Sequence, residues 1–187
     1  MPYMTSDEPE FWRAPGRLGK IQEVRRAFLD DPGDARSAAR KLTDVRSVQF
    51  PLGDSESDET PVANLVEFPP LFPLPRHSHD CDVFMIVVKG SMYADGRILG
   101  PGDGMTADAF EFYGPEVAGP EGCTRVEFFG SMSGLLGVIY EKQDGETFTT
   151  NGLEQAGVVD PKELTGIDEL RELLRVVRSD AADRPGG

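Results

Sequence analysis

The chain has 187 residues, 39% of them hydrophobic, which is enough for one domain with a buried core and some additional segments. Nineteen Lys and Arg against 33 Asp and Glu leave a formal charge of −14. That balance argues against nucleic acid and against anionic membranes, both of which require clustered basic side chains. No run of 18 apolar residues is present, the first eight residues are acidic and polar rather than signal-like, and only Cys81 and Cys123 carry thiols. A cytoplasmic protein without a disulfide framework is therefore expected.

Residues 1–16 read as an irregular arm broken by Pro2, Pro9 and Pro15. Leu18, Ile21, Val24 and Phe28 follow a helical period, and Asp31-Pro32-Gly33-Asp34 ends it. Ala35 to Val45 reads as a second short helix. The charged stretch from Gly53 to Thr60 contains no apolar residue and is the expected boundary. The organisation expected is an N-terminal arm with short helices over 1–53, a β-rich unit over 54–150 and a C-terminal extension over 151–187.

Within the β-rich unit, Val62 to Phe68 reads as a strand stopped by Pro69-Pro70. Val83 to Val88 is an unbroken apolar run, the pattern of a strand covered on both faces. Ser91 to Ala94 leads to Asp95-Gly96, a strong hairpin signal, and Arg97 to Leu99 returns. Gly100-Pro101-Gly102-Asp103 is a tight turn. Further strands are expected near Met105–Ala107, Thr124–Gly130, Gly134–Glu141 and Glu146–Thr149. Short strands punctuated by Gly and Pro indicate a sandwich or barrel. Asp160-Pro161 then opens a helix whose apolar stripe is Ile167, Leu170, Leu173, Leu174 and Val177, followed by a polar tail from Ser179.

The only two histidines stand as His77-Ser78-His79. On a strand, alternate side chains share a face, so two imidazoles about 6–7 Å apart can converge on one ion. A polar loop over Arg76 to Asp80 is the alternative reading. By the same alternation Cys81, Val83, Met85 and Val87 face in with the histidines, while Phe84, Ile86 and Val88 face out and need cover from a helix or a second subunit.

The stretch from about Pro75 to Phe129 resembles the cupin superfamily. His77-x-His79, the strand ending in Lys89-Gly90, the Gly100-Pro101-Gly102-Asp103 turn and Gly119-Pro120-Glu121-Gly122-Cys123 carry the likeness. The resemblance is to small single-domain members, ChrR-like or uncharacterised. It implies an all-β double-stranded β-helix, the cupin or jelly-roll barrel, with short α-helical N- and C-terminal extensions, and it implies a homodimer. It also implies a pocket for a divalent metal (Fe, Mn, Ni or Zn) and a small organic ligand.

Two of the four ligands usual in the superfamily are missing. The position of the usual glutamate is Val83, and that of the third histidine is Tyr113. Candidates to complete a metal set with His77 and His79 are Asp82, if a bulge turns it inward, Glu116, Tyr113 and, more weakly, Glu111 and Cys81. Tyr113 is also placed to line the pocket and act as a catalytic proton donor or acceptor. Two functions follow: a metal-dependent enzyme of oxygenase, isomerase, lyase or cyclase type, or a non-catalytic module binding a small ligand or metal in sensing or assembly.

Overall fold

The computed structural model describes residues 45–151 and 161–183. The helices expected before Val45 and the helix start at Asp160 lie outside the described residues. Among the described residues there are nine strands: β1 (Arg46–Pro51), β2 (Val62–Phe68), β3 (Pro73–Leu74), β4 (Val83–Ala94), β5 (Arg97–Leu99), β6 (Gly104–Ala107), β7 (Glu116–Phe129), β8 (Gly137–Glu141) and β9 (Thr147–Asn151). The same residues include two α-helices, α1 (Met132–Leu136) and α2 (Ile167–Asp183).

The architecture hangs on two long antiparallel strands, β4 and β7. Their first and last thirds pair in register, Val83 to Val87 with Phe129 to Arg125, and Met92 to Ala94 with Ala118 to Glu116. Between these stretches the register shifts twice, at Val87/Lys89 and Gly90/Met92. Such irregularities bend a strand and increase its twist. Each long strand therefore serves two sheet halves. The outer partners sort accordingly: β1 and β2 extend one half through β7, β6 joins it through β4, and β3 and β5 complete the other.

Glycine makes the bend feasible. Gly90 has φ of 72° and Gly122 has φ of 81°, both in the left-handed region. A Cβ on Gly90 would collide with the carbonyl oxygen of Gly122. The two backbones pass at a separation that no other residue tolerates.

Several sequence expectations need correction here. β7 begins at Glu116, well before the expected start at Thr124, because Gly119 to Gly122 bends within the strand instead of ending it. The expected strand Gly134–Glu141 divides into α1 and β8. Ser131 caps α1, its side chain accepting a hydrogen bond from the Gly134 N–H at 3.0 Å. The boundary expected at Gly53 falls inside a hairpin, since β1 pairs with β2 over its whole length, from Arg46 opposite Glu67 to Pro51 opposite Val62. α2 starts at Ile167, after a 3₁₀ turn at Pro161–Glu163, and continues past Ser179.

Alternation on β4 sets the core. Val83, Met85 and Val87 are buried, whereas Phe84 and Val88 are exposed. The buried set packs with Val62, Phe129, Tyr113 and Met132 at one end and with Val66, Phe68, Met92 and Cys123 at the other. α2 covers a third cluster, setting Leu170 and Val177 against Tyr93 and Val117. Ile167, Leu173 and Leu174 support it as partly buried neighbours.

Val177 is fully buried and the adjacent Val176 is 37% exposed. Val177→Asp should cost about 3 kcal/mol or more, because it strands a charge in an apolar contact, while Val176→Asp should change stability by less than about 0.5 kcal/mol. Urea denaturation of the two variants checks the pair. Equal effects would mean that α2 does not dock through this face.

Candidate functional site

The histidine pair lies on an extended segment held on both sides. The His77 N–H donates to the Tyr113 carbonyl at 3.1 Å, and the Tyr113 N–H donates back at 3.0 Å. On the other side Ser78 and Ile139 exchange N–H···O=C bonds, both 2.9 Å. Ser78 is thereby tied to β8, and the two imidazoles share one face, as alternation requires. Their ring centroids are 5.4 Å apart, edge to face. Tyr113 lies 4.5 Å from the His77 ring, Tyr140 lies 6.2 Å from it, and Phe129 lies 5.0 Å from the His79 ring.

Each imidazole has its tautomer set by the backbone. Nδ1 of His77 is 2.7 Å from the Pro75 carbonyl oxygen. Nδ1 of His79 is 2.6 Å from the Gly134 oxygen and 3.1 Å from that of Gly137. A carbonyl only accepts, so Nδ1 carries the proton in both rings and donates. Nε2 of each is then a lone-pair acceptor. Burial pushes the His77 pKa down to about 3, with the neighbouring His79 adding to the effect, and burial likewise lowers that of His79. Both rings are neutral at pH 7. Burial, reinforced by Glu116, raises the Tyr113 phenol well above its ordinary pKa, and burial alone raises Tyr140 to about 12. Both phenols keep their protons.

Behind the rings runs a buried polar chain. Gln49 donates to the side-chain oxygen of Asn64 at 2.8 Å, and Asn64 donates to Glu127 at 2.7 Å. Arg125 donates through Nε to Glu127 and through Nη1 to both oxygens of Glu116 at 3.1 Å. Arg125, Glu116 and Glu127 are each at most 5% exposed. The guanidinium also lies over Phe68, 4.8 Å from the ring centre. A cleft of about 10 Å³, room for one water, reaches Glu116 and Arg125 between Met85, Met92 and Leu99.

The sequence candidates separate clearly. His77, His79 and Tyr113 come together. Val83 and Met85 belong to the adjacent core cluster, Cys81 packs partly buried against it, and Val87 lies in the next cluster. Asp82 is exposed, and its carboxylate accepts from the Ala109 N–H at 3.0 Å, so it anchors the loop after β6 instead of joining the histidines. Glu111, also exposed, accepts from the Asp108 N–H in that loop. Glu116 is buried as the sequence reading did not foresee, and both its oxygens are committed to Arg125. A protonated Tyr113 is a hydrogen-bond donor rather than an anionic ligand.

Among the described residues, no group of three or more His, Cys, Asp or Glu is placed to hold a metal ion. His77 and His79 offer two suitable nitrogens, but the remaining side chains do not fit a three-donor centre.

Arg125, Glu127, Asn64, Gln49 and Tyr140 escaped the sequence reading. Strand parity was the available signal. On β7, Cys123, Arg125, Glu127 and Phe129 share the inward face, while Phe128 on the other parity is exposed.

A paired histidine strand lies with two bent, antiparallel sheet halves, the all-β architecture expected from the sequence. No family model matches the chain, and no curated protein matches it. Among solved structures, the chain is similar to an RmlC-like cupin protein from Ralstonia eutropha JMP134, at 15% identity over 77% of this chain and 80% of that one, TM-score 0.41. It is similar to a chain of the Rhodobacter sphaeroides SigE complex with the anti-sigma ChrR, at 24% identity over 62% and 67%, TM-score 0.39. It is also similar to an acetylacetone dioxygenase from Acinetobacter johnsonii, at 11% identity over 71% and 78%, TM-score 0.43. These likenesses concern the fold and carry nothing about activity. Among the described residues no helix is long and apolar enough to cross a membrane.

Two predictions follow from the site. A depressed folded-state pKa at His77 means that the unfolded chain takes up the proton first as pH falls. The stability of neutral His77 is complete above about pH 6.5 and is lost by about 1.4 kcal/mol per pH unit below it, down to about pH 3. His77→Gln should flatten that part of the stability profile relative to the parent, as measured by denaturation between pH 7 and pH 4. Separately, Arg125→Met should cost about 3–5 kcal/mol, since it leaves two buried carboxylates without their cation. Chemical denaturation of that variant reads the loss, and a change below about 1 kcal/mol would contradict the pairing described.

Proposed function

We propose that this cupin barrel is a binding module for a small organic molecule, held in the barrel by His77, His79 and Tyr113. The observation that carries this reading is the shared tautomer of the two histidines. Both Nδ1 atoms are spent on backbone carbonyls, and two neutral Nε2 acceptors remain on one buried face. The protonated phenol of Tyr113 adds a donor beside them. Apolar and aromatic walls from Phe129, Val83 and Met85 supply burial for the carbon skeleton. A few converging polar groups in an apolar lining is the usual composition of a ligand site.

A divalent ion (Fe, Mn, Ni or Zn) is the occupant that the sequence motif favours, and carboxylate–His₂ chemistry would make the barrel an enzyme. Against that stand the placement of Asp82 on the outer loop and the commitment of Glu116 to Arg125. Two imidazoles alone hold such an ion weakly. In the binding reading, conversion of the ligand is not required, and the barrel serves in sensing or assembly.

A thermal-shift screen of small organic molecules and of the four metal ions tests the reading. An organic ligand should raise Tm in a concentration-dependent way, and His77→Ala, His79→Ala and Tyr113→Phe should each weaken it at least tenfold. Metal analysis should find far less than one ion per chain after dialysis. Stoichiometric metal that disappears in both histidine variants would replace this reading with the metal-centred one.

A further inference from the structure

The outer surface of the β4–β7 ladder is covered on one side of the bend at Gly90 and Gly122 and open on the other. Beyond the bend, α2 lies against Tyr93 and Val117. Before it, Phe84, Val88 and Phe128 stay 42%, 46% and 41% exposed. Strand alternation turns them outward, because Val83, Met85 and Val87 fill the core. Phe84 lies opposite Phe128, and Ile86 lies opposite Val126. The two phenylalanine rings stack with 6.1 Å between centroids, so an aromatic surface is already assembled. The positions that continue these two rows on β6 and β2 are uncharged as well. Four strands ~4.8 Å apart and ~20 Å of strand length give a footprint of roughly 400 Å². An apolar patch of that size on a soluble chain marks a contact site.

Charge sets the ends of this surface. Asp82 stands exposed just before β4, and Lys89 stands exposed near the bend, opposite Thr124. Among the described residues no cation pairs with Asp82 and no carboxylate pairs with Lys89. The row that begins at Lys89 ends in Glu67 and Arg46, which pair with one another. Asp82 and Lys89 are roughly 20 Å apart along the strand, and Ile86 lies near the midpoint.

We propose that a second copy of the chain docks on this surface, face to face, about a two-fold axis that crosses β4 at Ile86. The rotation reverses the strand direction. It lays Phe84 on Val88 of the second copy, Ile86 on its own counterpart, and Lys89 over Asp82 of the second copy. Each contact is made twice, as an isologous interface requires. Face-packed sheets stand about 10 Å apart, a gap that a lysine and an aspartate side chain span together. The sequence carries a charge of −14, so two copies repel wherever their carboxylates meet. Here the four charged side chains at the rim sum to zero, and the rotation sets opposite charges together. Two such footprints with their rims approach the ~1,200 Å² at the lower end of specific interfaces. The dimer is therefore concentration-dependent rather than permanent.

Sedimentation velocity of the full chain over a concentration series tests this. The mass should rise with concentration toward twice the 20.4 kDa of one chain. Phe84→Glu should raise the dimer dissociation constant at least tenfold. Ile86→Arg, which sets two cations against each other at the axis, should do the same. Circular dichroism identifies the folded variants. Lys89→Glu and Asp82→Lys should each weaken the homodimer, because each creates two like-charge contacts. Mixed in equal amounts, these two variants should bind each other at least tenfold more tightly than either binds itself, since the mixed pair restores both opposite-charge contacts. A chain that stays monomeric throughout the series overturns the proposal, whether another segment of the chain or a different protein then covers the patch. So does a dimer whose dissociation constant is unchanged in folded Phe84→Glu or Ile86→Arg, and so do folded charge variants that show no preference for each other.

Discussion

Everything in the barrel depends on the long antiparallel pairing of β4 with β7. These two strands contact one another far more than any other elements do, and β2, β3, β5 and β6 each pair with one of them, while β1 is attached through β2. Neither strand could serve two sheet halves if it stayed straight. The bend is made where Gly90 meets Gly122, and its location determines which side chains of β7 look inward on each side. Arg125, Glu127 and Phe129 face the histidines because they lie on one side of that bend, whereas Glu116 approaches Arg125 from the other.

Much of the fold was legible in the sequence because the signals were local. Asp95-Gly96 makes its hairpin, with Asp95 at φ of 48° and Gly96 at 70°. The run Val83 to Val88 is a strand with the expected faces, and Val62 to Phe68 matches β2 residue for residue. The failures were non-local. Gly119 to Gly122 reads as a turn, but its neighbours continue the ladder with β4, so the glycines bend the strand without ending it. β1 was invisible because Arg46 to Pro51 has no strong alternation, and its pairing with β2 is what makes it a strand.

The site was half legible. His77-x-His79 announces itself by spacing, and Tyr113 was located by counting from the turn. Glu127 and Arg125 did not announce themselves, since charged residues on a strand are normally assigned to solvent. Here the usual sorting is inverted over part of β7. Phe128 stacks with Phe84 on the outer face, 6.1 Å between ring centres, while Arg125 and Glu127 occupy the interior. Asp82 misled for the complementary reason. Its distance along the chain from the histidines is small, but strand parity carries it outward to the loop at Ala109.

The clamp on the histidine segment has a consequence for the order in which the molecule is made. The acceptors that hold His79 are Gly134 and Gly137, and the partner of Ser78 is Ile139, all more than fifty residues later in the chain. A ribosome adding about 5–20 residues per second completes β4 several seconds before those residues exist. During that interval His79 has no carbonyl to choose its tautomer, and the strand beside Ser78 is an open edge. The clamp on the two rings therefore forms late, when α1 and β8 emerge, and a nascent chain halted after β7 would carry both histidines without the contacts that fix their orientation.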